Sequence, residues 1–398
     1  MFVVPGLVLS LLLWLAIGVV VGVLCGLAPG LHPNLVSVLL IAFMPSLEPA
    51  SAVVFIVAVS VVNTVVNFIP AVLVGLPDSG NELSLLPSHS MLSRGLGYQA
   101  VKLCVYGSFF SLIALLIMTP IIMFAAPSIY AIIEPRMALL LITISAAVIL
   151  TDKNRAGAFA LFCLAGCLGI VASKLPINPD MLLFPLLTGL FGISMLLLAV
   201  KNRTSIPEQD PETPIAGSYK LPVVAGTLGG MATGMLPGVG ASEAALVTSF
   251  GSESGFLASV GAITMANTVF SFMALWLIGK GRSGAAVAVR HFAEVSPELV
   301  VLMLLTALIS CCIAVLLTLK VSSVFLKHIS RINYSLLSLV VLGITILLVF
   351  VLTGLYGLAL AGVAALLGLI PNLTRIRRMN LMACLIVPAI LFFLGFSL

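Results

Sequence analysis

Residues 18–30 read GVVVGVLCGLAPG, and residues 226–238 read GTLGGMATGMLPG. In both, four glycines stand at every fourth position with a proline just before the last, and the two runs lie 208 residues apart. That spacing puts the glycines on one helix face, where a missing side chain lets another helix come close. A single ladder would say little, because small residues at this spacing are common wherever membrane helices pack. Two further matches follow in the same order. Asn63-Thr64-Val65 recurs as Asn267-Thr268-Val269, and Gly75-x-x-x-Ser79-Gly80 recurs as Gly279-x-x-x-Ser283-Gly284, each 204 residues on. Three ordered matches indicate a duplication. The chain divides into a first transmembrane repeat at 1–200, a polar linker at 201–219 and a second repeat at 220–398.

The surroundings of these motifs are apolar. Of the 398 residues 61% are hydrophobic and 8% are charged, whereas a soluble domain carries about 25% charged residues. Stretches such as 181–200 and 333–352 run for the length that crosses a bilayer core with almost no charge. The expected fold is an all-α polytopic membrane protein, with the lipid bilayer as its solvent. The first stretch, Leu7–Leu27, has no Lys or Arg before it and ends in a motif that recurs, so it reads as a span rather than a cleavable signal. The seven cysteines fall almost entirely within apolar spans and read as small packing residues. No metal cluster, resident cofactor or nucleic-acid-binding surface is expected.

After its motifs each half continues with four apolar spans, near 98–126, 137–150, 157–173 and 181–200, then 296–319, 333–352, 353–370 and 380–397. Lys and Arg favour the cytoplasmic side of short loops. In the first half the loops after the second and fourth of these spans are basic (Lys153, Arg155; Lys201, Arg203). In the second half the loops after the first and third are basic (Lys320, Lys327, Arg331; Arg375, Arg377, Arg378). Equivalent loops therefore fall on opposite sides, the signature of two inverted-topology repeats. Alternation places all but five of the 18 Lys and Arg inside. The exceptions are Arg136, Lys174, Lys280, Arg282 and Arg290. Both termini come out external, and the linker cytoplasmic.

Inverted repeats suit alternating access, with the solute site at broken or re-entrant helices near the midplane. Four breaks are visible. Pro29-Gly30-Leu31-His32-Pro33-Asn34 ends the first span, and the apolar piece after it, Leu35–Met44, is too short to cross. Its counterpart is Pro237-Gly238-Val239-Gly240-Ala241-Ser242-Glu243. The other pair is Asn63–Pro70, which includes Asn67, and Asn267–Phe272, which includes Thr268. Broken helices free backbone amides and carbonyls that hold ions or anionic groups, and Asn, Thr and Ser add neutral dipoles. Close packing is the alternative for the ladders, and an interhelical hydrogen bond is the alternative for Asn63 and Asn267. His32 and Glu243 are ionisable groups placed within spans, which marks them as candidates. Ser79 and Ser283 are expected at hairpin tips, with Arg282 attracting an anion; a solvated loop is the alternative there.

At these residues the chain resembles the TctA family, the large membrane subunit of tripartite tricarboxylate transporters, and in particular its shorter archaeal branch. The resemblance rests on Gly22-x-x-x-Gly26-x-x-Pro29-Gly30, on the Gly-x-Pro-Asp run at 75–78, on Leu86-Pro87-x-His89 leading to Arg94-Gly95-x-Gly97-Tyr98, and on Pro237-Gly238-Val239-Gly240. It implies secondary transport of small anionic carboxylates, coupled to an H+ or Na+ gradient, in a prokaryotic cell membrane. It also implies a small membrane subunit and an extracytoplasmic binding protein as partners, and a homo-oligomer is compatible with it. Bacterial members usually have a longer chain and a Gly where this one has His32. Two other functions fit parts of the sequence. A polyprenyl-phosphate translocase would use the basic cluster of Lys280, Arg282 and Arg290 at a lateral opening. An intramembrane enzyme would use Asp78, His89 or His32, but no His-Glu-x-x-His, Gly-x-Ser-x-Gly or paired acids within one span occur.

Overall fold

The computed structural model describes residues 5–27, 33–74, 88, 90–92, 94–178, 181–202, 218–235, 241–281, 283–329, 334–374 and 376–396. Every regular element among them is helical. The first half of the chain holds α1 (Pro5–Leu27), the short α2 (Pro33–Phe43) and α3 (Pro49–Val66), which runs on into a π turn at Pro70–Val74. Then come α4 (Gly97–Ile133), α5 (Met137–Leu150) and α6 (Arg155–Ser173), followed by α7 (Leu183–Leu187), a π turn (Thr188–Ile193) and α8 (Ser194–Asn202). The second half holds α9 (Lys220–Met235), the short α10 (Ala241–Thr248), α11 (Glu253–Leu277), α12 (Gly284–Phe292), α13 (Pro297–Ile329), α14 (Tyr334–Thr374) and α15 (Ala383–Phe393).

Among the described residues seven helical runs are long and apolar enough to cross a bilayer. Two of them contain breaks. Glu134-Pro135-Arg136 interrupts the run Gly97–Leu150 with a 3-10 turn. α14 breaks at Gly354, whose φ of 65° and ψ of −160° lie where only glycine sits without strain. Unbroken, its 41 residues would extend about 61 Å, twice the bilayer core, so the break leaves two pieces that can each cross. These breaks account for the spans read near 98–126 and 137–150 and near 333–352 and 353–370. The span read at 380–397 is shorter than expected, because the helix there is Ala383–Phe393.

Caps fix where the central helices begin. Glu48 accepts from Ala50 N at 3.0 Å and Ser51 N at 2.7 Å, with Pro49 opening α3. Partial burial pushes this carboxyl up, but hydrogen bonds from Ser51 and Ala50 outweigh it and hold it below the usual carboxylate range. Ser252 caps α11 by accepting from Gly255 N at 3.0 Å.

The described ladder glycines, Gly18, Gly22, Gly26, Gly226, Gly230 and Gly234, are packing residues. A Cβ added at Gly22 would stand 2.7 Å from Val62 Cβ and 3.0 Å from Val59 O. One added at Gly230 would stand 2.6 Å from Ala266 Cβ and 2.5 Å from Ile263 O. Gly18 likewise meets Phe55 and Ala58, while Gly226 meets Ser259 and Ala262. α1 therefore runs parallel to α3 in close contact, and α9 runs so beside α11. The positions met by the two ladders differ by the same 204 residues that separate the Asn-Thr-Val motifs.

α3 and α11 form the centre. Buried residues make up 94% of the α3 span and 72% of the α11 span, against 22% for α1, whose outer face meets lipid. Two seams join the halves: α4 packs on α11, and α13 packs on α3. Outside this core lies a second hydrophobic cluster, built from α5, α6, α7 with its π turn, the second part of α14, and α15. In it Gly169 touches the Cys384 backbone and Gly368 the Leu190 backbone.

Candidate functional site

The two Asn-Thr-Val motifs meet in the core. Thr64 Oγ1 on α3 and Thr268 Oγ1 on α11 lie 3.1 Å apart. Each hydroxyl also reaches its own helix, Thr64 donating to Ser60 O at 2.8 Å and Thr268 to Thr264 O at 2.9 Å. With their hydrogens turned back in this way, the two oxygens present lone pairs to one point between the helices. Residue 60 matches residue 264 at the same interval, and both hydroxyls donate one turn back, to Ile56 O and Val260 O. Thr64 and the Ser60/Thr264 pair were not singled out from sequence, although the duplicated motif carried the signal.

Asn63 and Asn267 stand beside this contact. Asn63 is 6% exposed, and a Cβ at Gly234 would be 3.2 Å from Asn267 Oδ1. Among the described residues no hydrogen bond takes up either amide. The arrangement offers neutral oxygens in an apolar enclosure, suited to a dehydrated monovalent cation or to the polar end of a small solute.

A second convergence lies at the start of α12. Ser283 accepts from Ala286 N at 3.1 Å, and Ser271 on α11 donates to Ser283 at 3.1 Å. Asn34, at the start of α2 in the other half, accepts from Ala285 N at 2.9 Å. Two positions singled out separately from sequence, Asn34 and Ser283, thus cap the same helix from opposite halves of the chain. Asn67 matches Ser271 at the 204 interval and is buried to an intermediate degree at the end of α3.

Several expected site residues lie outside the described residues: Pro29, Gly30, His32, Ser79, Arg282, Pro237, Gly238 and Gly240. Ser242 and Glu243 fall in the first turn of α10, with their side chains outside the description. Lys280 pairs with Glu134 and lies 5.4 Å from the Tyr130 ring centroid, and Arg290 donates to Gly279 O at 2.9 Å. These two cations are engaged by their own chain, which gives the lipid-phosphate reading no support.

Among the described residues no group of three or more His, Cys, Asp or Glu could hold a metal.

Comparison with known proteins follows the same direction. The chain is 29% identical, over 357 residues, to "Uncharacterized protein MJ1079" of Methanocaldococcus jannaschii, covering 85% of this chain and 88% of that protein. No solved structure matches. The family model described as "Tripartite tricarboxylate transporter TctA family" matches residues 12–383. A match of that extent places the chain among membrane components of transporters rather than among enzymes. The chain belongs to the TctA family.

Proposed function

We propose that this protein is a secondary active transporter of small carboxylates, driven by an H+ or Na+ gradient and working by alternating access. The observation that carries the reading is the 3.1 Å contact between Thr64 and Thr268. Residues matched by the duplication touch each other where a pseudo-two-fold axis would pass. Such an axis in the membrane plane makes the halves inverted repeats, and exchange of their conformations converts an inward-open state into an outward-open one. Support comes from the ladders, whose glycines meet positions 204 residues apart, and from the inverted distribution of Lys and Arg.

In this mechanism Asn63, Thr64, Asn267 and Thr268 hold the coupling cation or the solute's polar end. Pro29–Asn34 and Pro237–Glu243 supply broken-helix termini for the carboxylate, with His32 and Glu243 as the ionisable groups nearest it in sequence. Glu243 carries the proton if protons drive uptake; with sodium it stays ionised as a ligand or counter-charge. Both termini face outward and the linker faces the cytoplasm. Members of the family act with a small membrane subunit and a periplasmic binding protein, and partners of that kind are proposed here, as is self-association.

The test is uptake by the purified protein in liposomes, screened over carboxylates with sodium and proton gradients imposed separately. Asn63→Ala and Asn267→Ala should each abolish concentrative uptake while the protein remains monodisperse. Wild-type rates in both would reassign the asparagines to packing. Glu243→Gln should stop proton-driven accumulation yet leave gradient-free exchange intact. Accumulation driven by a pH difference alone in that variant would remove Glu243 from the role.

A further inference from the structure

Both halves of the chain contribute to the core, and both contribute to the outer cluster. The core takes α1 to α4 from the first half and α9 to α13 from the second. The outer body takes α5 to α8 with their π turn, and then α14 and α15. The chain passes between the two bodies at three places: after α4, after α8 and after α13. The passages after α4 and after α13 each follow the first of the four apolar spans in their half, so the two halves divide at the same point.

Within each body the halves are locked together through their main chains. In the core a Cβ at Gly107 would stand 2.1 Å from Ala258 O, and one at Gly261 1.9 Å from Cys104 O. In the outer body a Cβ at Gly169 would stand 2.0 Å from Cys384 O, at Gly189 2.5 Å from Ala361 O, and at Gly368 2.0 Å from Leu190 O. Every one of these contacts joins the first half to the second. Hydrogen bonds do the same. In the core Ser108 donates to Gly261 O at 3.0 Å, Ser111 to Ala262 O at 2.8 Å, and Thr227 on α9 to Ser111 at 3.0 Å. In the outer body Asp152 accepts from Arg377 N at 2.9 Å. The boundary between the bodies is different. Among the described residues no helix of one body packs along a helix of the other, apart from α4 running on into its own 3-10 turn. Apolar side chains such as Ile193, Leu342 and Val349 reach from the outer body to the core cluster.

Rocking one half against the other is the simplest motion for a protein of two matched halves. Here it would have to part main chains in contact in both bodies at once. It would also break the hydrogen bonds between halves inside the bilayer, where a lost partner is costly. A boundary of apolar side chains can shear instead, because lipid tails replace a lost apolar contact at little cost. We propose that the core moves as one rigid body against the outer body, carrying the Thr64–Thr268 centre with it. The first passage is built for this. α4 ends there, and Glu134-Pro135-Arg136 turns the chain through a 3-10 segment before α5 begins. Lys280 from the core holds Glu134, so the turn is tied on its core side. What the motion serves rests on the proposed transport function; the division into two rigid bodies does not.

Distances between pairs of nitroxide labels, read by double electron–electron resonance on the full chain in nanodiscs, test the division. Labels go on cysteines introduced at exposed positions, with the exposed Cys163, Cys167 and Cys312 changed to Ser. Ser46→Cys with Lys327→Cys spans the two halves inside the core, and Lys153→Cys with Leu355→Cys spans them inside the outer body. Ser46→Cys with Leu355→Cys and Lys327→Cys with Lys153→Cys cross the boundary. Each pair is measured in sodium and in potassium buffer, at acid and neutral pH, and with and without citrate. Pairs within a body should give one distance that stays the same. Pairs across the boundary should give two populations, or a shift, of about 5 Å or more, one helical turn. Cross-boundary distances as narrow and constant as the others overturn the proposal, and so does an equal shift within the core. A second arm locks the halves. Ser111 and Thr227 have hydroxyl oxygens 3.0 Å apart, so Ser111→Cys with Thr227→Cys should form a disulfide between α4 and α9. Uptake by the oxidised form, over the same carboxylate screen, should match that of the reduced form. Uptake lost on oxidation and restored by dithiothreitol would show the halves moving against each other and overturn the proposal. No uptake by the unmodified protein would sink the proposed function, and the label distances would still decide the inference.

Discussion

Gly261 and Gly107 let α4 and α11 touch through their main chains, and neither position has room for a methyl group. A Cβ at Gly261 would sit 1.9 Å from Cys104 O, a distance that only a shift of one helix can relieve. Gly362 on α14, by contrast, has nothing within 4 Å of such a Cβ. Gly261→Ala should therefore lower stability by about 1–3 kcal/mol or prevent folding. Gly362→Ala should be neutral or gain about 0.5–1 kcal/mol from helix propensity. Midpoints of thermal unfolding in detergent check both, and equal midpoints would show that the seam yields more easily than its geometry indicates. The ladder glycines were legible in sequence because four of them repeat at one spacing. Gly107 and Gly261 were not, because a close approach between residues 154 apart leaves no periodic trace. The same holds for Asn34 and Ala285, whose meeting depends on how two repeats interlock.

Two ion pairs clamp α4 to α11 at opposite ends. Arg94, just before α4, pairs with Glu253 at the start of α11; Glu134, just after α4, pairs with Lys280 beyond the end of α11. Ser90 also donates to Glu253, at 3.1 Å. The hydrogen bond that Lys280 donates to Glu134, and then its contact with Tyr130, hold its ammonium above the usual lysine range. A raised value means the pair contributes fully at and below the ordinary lysine range and loses its contribution as pH rises past it. Lys280 and Glu134 are 48% and 41% exposed, so screening limits the pair to about 1 kcal/mol or less. Lys280→Met should lower the unfolding midpoint slightly and by a constant amount from pH 6 to 9 (roughly, on the ordinary lysine value). A gap that closes already near neutral pH would assign the effect to something other than this pair. Element positions were largely legible: apolar length gave the spans, and the short α2 was expected from the ten-residue piece Leu35–Met44 between breaks. The long α4 hid its own extent, since Glu134-Pro135-Arg136 is the first charged group after Lys102 and the apolar run before it gives no earlier stop.

The sequence motifs suggest a chain of two halves, yet the packing interleaves those halves. α1 with α3, and α9 with α11, are contacts within a half. The seams that bury α3 and α11 run between halves: α13 on α3, and α4 on α11. The outer cluster crosses the division as well, with α15 on α6 and the second part of α14 on α8. Its polar end does too. Asp152, 4% exposed, accepts from Arg377 N at 2.9 Å and from Asn380 Nδ2 at 3.3 Å. No duplication pattern announces these contacts, because the repeat describes what each half is and not where the other half lies. A half alone would leave the glycine faces of α4 or α11 and the hydroxyls of the seams without partners inside the bilayer, where unsatisfied polar groups are costly. Residues 1–202 or 218–398 expressed singly should therefore be degraded or aggregate. The two expressed together, cut within 203–217, should assemble into a complex that co-purifies, because the α4–α11 and α3–α13 seams are built from residues outside that stretch. Size-exclusion chromatography of a tagged half with its untagged partner reads the outcome. A stable, monodisperse single half would show that the repeats fold as independent units, and that the α4–α11 and α3–α13 seams form only after each half is complete.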